Sequence, residues 1–71
     1  MTESFERGYD AGNYASAYET EDVVEAWNAR ILSGREVYEG FILGFFSSYE
    51  LDEIPDEHRE EVDYLRGIYE D

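Results

Sequence analysis

Between Glu50 and Asp63 the chain carries eight carboxylates, Glu50, Asp52, Glu53, Asp56, Glu57, Glu60, Glu61 and Asp63, among which stand one histidine, His58, and one arginine, Arg59. Side chains of these types do three kinds of chemistry: proton transfer, cation ligation and imitation of a polyanion. Proton transfer is poorly served. No nucleophile has a neighbouring base, there is no second histidine, and the chain has no lysine with which to build a phosphate-binding loop. Nothing singles out one carboxyl of a solvated acidic face as a catalytic acid. For a metal, His58 could join Asp56 and Glu61, but a boundary histidine in a first helical turn is the simpler reading, and "ELDEIPDEHREE" lacks the alternating Asp/Asn positions and central glycine of a calcium loop. The expectation is no enzyme, no cofactor and no metal.

The polyanion reading rests on the charge of the whole chain. Nineteen Asp and Glu stand against five Arg and no Lys, a net charge of -14 in 71 residues. Residues 1 to 35 carry a net -4 and residues 36 to 71 a net -10. Repulsion on this scale opposes compaction, so the charge is either tolerated for solubility or used. Nucleic acid and anionic membrane carry the same sign, which excludes both as direct partners. Duplex DNA bears one charge per about 1.7 Å of axis, so about 30 Å of it carries roughly 18 phosphates. Carboxylates held on rigid helices at comparable density can take the place of phosphates in an Arg/Lys-lined groove. The expected partner is a basic nucleic-acid-binding protein or complex.

Elements must position these groups, and the apolar pattern calls for helices. A single domain spanning residues 1–71 is expected, all-α, a small bundle of about four short helices. A first helix over about Glu3 to Tyr18 puts Phe5, Gly8, Tyr9, Gly12 and Ser16 on one face, with a break possible at Gly12-Asn13. A second begins at Thr20 as N-cap and carries Val23, Val24, Trp27 and Ile31 as an apolar stripe up to Ser33-Gly34. A third runs from about Arg35 to Tyr49, with Tyr38, Phe41, Ile42, Phe45 and Tyr49 on one side and Gly40, Leu43, Gly44 and Ser47 on the other. A fourth starts at Pro55 and turns His58, Val62, Leu65 and Tyr69 inward, leaving its carboxylates outside. The expected core is Val23, Trp27, Ile31, Tyr38, Phe41, Ile42, Phe45, Val62, Leu65 and Tyr69.

The two-faced third helix asks for a neighbour able to approach its glycines closely, and the first helix fits. "GYDAGNYASAYE" and "GFILGFFSSYE" align with Gly8 on Gly40, Tyr9 on Phe41, Gly12 on Gly44 and Tyr14 on Phe46, slipping one residue before Tyr18 and Tyr49. Either this is a pseudo-symmetric pair of duplicated origin or it is chance likeness between two aromatic helices. Tyr14, Tyr18 and Tyr64 fall off the main stripes and are possible aromatic anchors for a partner. A bend at Gly12 would instead turn Tyr14 and Tyr18 inward.

The segment Leu51 to Tyr64, with Leu-x-x-Ile-Pro followed after seven residues by Asp-Tyr, resembles the C-terminal segment of plasmid and phage antirestriction proteins of the DNA-mimic kind. "YDAGNYASAY" is similar to their Tyr-Asn-x-Gly-x-x-x-Gly-x-Trp, with Ser16 and Tyr18 where that pattern has Gly and Trp. The resemblance implies an acidic decoy, encoded by a phage or mobile element, that blocks the DNA channel of a host defence protein such as a restriction or CRISPR effector complex. Two other readings stand beside it: a small adaptor that binds a protein through exposed Tyr and Phe, and a salt-adapted protein whose charge is general solvation. The longest apolar run, Phe41 to Phe46, is too short to cross a bilayer, and "MTESFERGYD" lacks the pattern of a secretory signal, so a soluble, cytoplasmic protein is expected, as a monomer or a homodimer.

Overall fold

The computed structural model describes Thr2 to Glu70; Met1 and Asp71 lie outside the described residues. Four helices follow one another: α1 (Glu3–Tyr18), α2 (Val23–Asn28), α3 (Arg35–Phe45) and α4 (Asp56–Tyr69), with a single 3-10 turn at Leu51–Glu53 between the last two. The all-α architecture read from the apolar pattern is the one observed.

The bundle is organised around α1 and α3, which touch backbone to backbone. A Cβ on Gly8 would overlap the carbonyl oxygen of Val37, and one on Gly12 that of Phe41. Reciprocally, a Cβ on Gly40 would overlap the carbonyl oxygen of Phe5, and one on Gly44 that of Tyr9. These pairs climb both helices together, so α1 and α3 run parallel. Gly8 and Gly40, Gly12 and Gly44, Phe5 and Val37, and Tyr9 and Phe41 exchange places under a local twofold. The aligned stretches are therefore a pseudo-symmetric pair in space. Each glycine Cα hydrogen faces a carbonyl, an arrangement worth about 0.5–1 kcal/mol per contact. Thr2 and Ser47 close the two ends of the seam: the Thr2 hydroxyl donates to Glu36 Oε2 at 2.8 Å, and Ser47 Oγ donates to Asn13 Oδ1 at 2.7 Å. No break occurs at Gly12-Asn13; α1 is continuous because the glycine's missing side chain is what lets α3 in.

Large side chains fill the space on either side of this seam. Phe5, Phe41, Ile42, Leu43, Phe45, Phe46, Ile54, Val62 and Leu65 are buried, with Ala15, Val23, Ala26 and Val37 completing the core. Leu43 and Phe46 are buried although they lie off the expected stripe: the C-terminal half of α3 is covered all round, and Phe46, its C-cap, begins the turn that folds under α4. Tyr38, Trp27 and Tyr69 are half-buried and pack on this core from outside, Trp27 edge-on to Tyr38 and Phe41 at 5.1 and 5.3 Å.

Four expected element boundaries shift, three of them with a local hydrogen-bond reason. α2 is capped by Asp22, whose Oδ1 accepts from Val24 and Glu25 N–H, while Thr20 Oγ1 is already taken by Asp22 N–H. The same helix stops at Asn28 because Ala26 O, which Arg30 N–H would meet in a longer helix, accepts the Arg30 guanidinium at 3.1 Å, and Arg30 N–H bonds to Trp27 O. Ile31 consequently lies beyond the helix and is fully exposed, Val24 is half exposed, and Ala26 takes the buried place expected of them. α3 ends at Phe45 instead of reaching Tyr49, since Arg66 Nη2 donates to Phe46 O and Tyr49 O, both at 2.9 Å, and replaces the next helical turn. Pro55 sits at the N-cap of α4, one residue ahead of its first turn. Between α2 and α3, Gly34 enters at φ 105°, a left-handed conformation that favours glycine.

Candidate functional site

α4 is a 14-residue amphipathic helix whose inner side carries Val62 and Leu65, buried, flanked by half-buried His58, Arg59, Arg66 and Tyr69. The remaining side is mostly carboxylate, with Tyr64, Gly67 and Ile68 exposed among the acids. At 100° per residue, Asp63, Asp56, Glu60, Glu57 and Glu61 fall within about 160° of arc. All five are exposed, as are Glu50, Asp52 and Glu53 in the connection before the helix. From Asp56 to Asp63 the helix advances about 10 Å, so this face bears roughly one carboxylate per 2 Å of axis, near the 1.7 Å per charge of duplex DNA.

Some of this charge is locally tethered. Arg59 Nη1 lies 2.7 Å from Asp56 Oδ1, and Glu53 Oε1 accepts from Glu50 N–H at 2.8 Å, shaping the turn. His58 Nε2 stands 3.6 Å from Glu57 Oε1 with its ring 6.0 Å from Phe46, a boundary position. Asp52, Glu60, Glu61 and Asp63 make no hydrogen bond or ion pair among the described residues. Leu51, Asp56, Arg59, Glu60 and Asp63 line a shallow concavity of about 350 Å³ open to solvent.

The cations are turned to other work. Arg30 forms a bidentate pair with Glu19, 2.9 Å at each nitrogen, and places its Cζ 5.5 Å from the Phe41 ring centroid. Arg59 donates to Leu51 O and Ile54 O, Arg66 to Phe46 O and Tyr49 O, and Arg35 Nε lies 3.3 Å from Glu39 on the next turn of α3. Carbonyls left over where helices and turns end are where positive charge is most useful to the fold. Three of the five arginines, Arg30, Arg59 and Arg66, thus hold chain segments together, and on the acidic side of α4 only Asp56 is paired with an arginine, Arg59, among the described residues.

Tyr14, Tyr18 and Tyr64 are all exposed, at 56%, 78% and 67%. Because α1 does not bend, Tyr14 and Tyr18 stay outside, their rings 5.1 Å apart one helical turn from each other. Tyr64 projects from the middle of the acidic arc of α4. Two other tyrosines are tuned by carboxylates. Burial, with the Glu61 charge adding to it, raises the Tyr38 phenol above its ordinary value, and a 2.6 Å hydrogen bond to Glu39 Oε1 raises Tyr69, assisted by burial and the charges of Glu39 and Glu36. The core positions Phe5, Ala15, Ala26, Val37, Leu43, Phe46 and Ile54 and the carbonyl-binding roles of Arg59 and Arg66 are not among the residues expected from sequence.

Comparison with known proteins returns nothing: no family model matches the chain, and neither a curated protein nor a solved structure does. No helix among the described residues is long and apolar enough to cross a membrane.

Proposed function

We propose that this domain is an acidic mimic of nucleic acid that binds a basic nucleic-acid-binding protein in its groove and keeps the polynucleotide out. The observation that carries the reading is the outer side of α4, where five exposed carboxylates follow a rigid helix at close to the charge spacing of a duplex. The molecule is 29 Å in its longest extent, over which duplex DNA would carry about 17 phosphates, against a net charge of -14 here. The helix backbone that carries the carboxylates needs no ordering on binding, which favours it over a flexible strand for the same groove. The antirestriction-like segment Leu51 to Tyr64 covers most of this face, and it directs the proposal towards a defence complex, of restriction or CRISPR type, as the protein inhibited.

The test is capture from a bacterial lysate on the immobilised domain, followed by elution with duplex DNA. Basic DNA-binding proteins should be retained, released by the DNA, and lost steeply as ionic strength rises. The triple variant Glu57→Lys, Glu60→Lys, Asp63→Lys should retain its helical circular dichroism and capture none of them. Retention that survives DNA and salt, and that disappears in Tyr14→Ser, Tyr18→Ser instead, would replace this reading with that of an aromatic adaptor.

A further inference from the structure

Tyr14 and Tyr18 stand one turn apart on the outer side of α1, their ring centroids 5.1 Å from each other and the ring planes tilted by 48°. Both rings are open to solvent. Residues four apart on a helix are surface neighbours, and α1 cannot bend to separate these two because Gly12 is pressed against the backbone of α3. Each ring therefore meets the other and the solvent at once.

No other two tyrosines are so placed among the described residues. Tyr9 and Tyr69 have their rings against Phe5, Tyr38 against Trp27 and Tyr49 against Phe46, while Tyr64, though exposed, has no ring beside it among those residues. The chain has no cysteine, so no thiol competes as reductant for an oxidised phenol. Coupling between two copies is held back by the net charge of -14 that each carries.

We infer that Tyr14 and Tyr18 are an oxidative modification site, at which a one-electron oxidant of the peroxidase class, using hydrogen peroxide, joins the two rings into an intrachain dityrosine. Each phenol gives up one electron and its hydroxyl proton, leaving a radical whose spin is shared with the ring carbons beside the oxygen. One such carbon from each ring forms the new carbon–carbon bond, and the hydrogen on each then moves to its own phenol oxygen as aromaticity returns. The two electrons and two protons released reduce one peroxide to two waters. Tyr18 is the last residue of α1, so the small further approach that the bond requires falls on a helix end, where the backbone yields most easily. The link staples the final turn beside Glu19, whose two hydrogen bonds to Arg30 tie α1 to the chain beyond α2. This chemistry asks nothing of the acidic face of α4.

The test is to treat the full chain, dilute and at low ionic strength, with a haem peroxidase and hydrogen peroxide. A monomer lighter by two hydrogens and carrying blue dityrosine fluorescence should appear, at a rate per molecule that does not change on dilution, as for partners already held together. Fragment masses should place the link between Tyr14 and Tyr18. Monomer fluorescence should fall about tenfold or more in Tyr14→Phe and in Tyr18→Phe and stay as it is in Tyr64→Phe, with helical circular dichroism unchanged in all three. Crosslinking that gives only dimers, a link mapped to another pair, or monomer fluorescence that survives both substitutions would overturn the site. Oxygen added to either ring with no link formed would overturn it too.

Discussion

Gly8, Gly12, Gly40 and Gly44 act through what they lack. Each faces a backbone carbonyl that cannot swing aside as a side chain can, so the first methyl group added there must push two helices apart. Overpacking in a core costs about 1–3 kcal/mol and more where backbone must move, whereas a domain of this size has about 4–10 kcal/mol in total. Gly8→Ala or Gly44→Ala should therefore cost about 3 kcal/mol, a large share of the total, seen as a clear drop in the urea midpoint, and Gly67→Ala, where a Cβ meets nothing within 4 Å, should raise stability by about 0.5–1 kcal/mol. The phenols of Tyr38 and Tyr69 make a prediction in pH. Both are raised above 10.0, so at alkaline pH the unfolded chain releases those protons first. Their contribution is complete below about pH 10 and is lost as pH climbs through the folded-state values. Urea midpoints measured against pH should fall above about pH 10, and more gently in Tyr69→Phe.

At the scale of elements, two arginines decide where helices stop. Arg66 takes both carbonyls beyond the end of α3, and charged hydrogen bonds of this kind contribute about 1.5–3 kcal/mol. Arg66→Met keeps the stem and removes the donors; it should cost about 2 kcal/mol in thermal or urea unfolding. These contacts also mark what could be read from the residues. α1, α3 and α4 were legible because Gly8/Gly12, Phe41/Phe45 and Val62/Leu65 repeat at helical spacing over several turns. The pairing of α1 with α3 was legible too, from glycines recurring in one pattern. The end of α2 was not: Val23, Val24, Trp27 and Ile31 keep a helical period past Asn28, yet the backbone tightens with Arg30 N–H on Trp27 O while the Arg30 side chain returns to Ala26 O. Nor was the burial of Phe46 and Ile54, which comes from the turn after α3 folding back under α4. The carboxylates of α4 follow from their spacing, since polar residues between buried ones on a helix face outward, whereas the exposure of Tyr14 and Tyr18 was open in the sequence and turns on α1 running straight through Gly12.

Across the whole molecule, charge and size set the response to salt. A net -14 on a body with a Cα radius of gyration of 11.0 Å repels itself. Raising ionic strength from about 0.01 M to about 0.15 M shortens the screening length from about 30 Å to about 8 Å, that is, from the span of the molecule to a fraction of it. The melting temperature should climb over this interval and then level off, as calorimetry at stepped sodium chloride would register; a continued climb in molar salt would instead mark adaptation to brine. The glycine seam has a last consequence. With α1 and α3 in contact along their backbones, neither can slide or tilt without losing the other, and the carboxylate helix packs on α3 and touches α1 where the Tyr69 ring lies 4.3 Å from that of Phe5. Such a body meets a groove as a key cut beforehand, so differences in grip among related targets should lie in how long each holds on, with little variation in how fast they first engage.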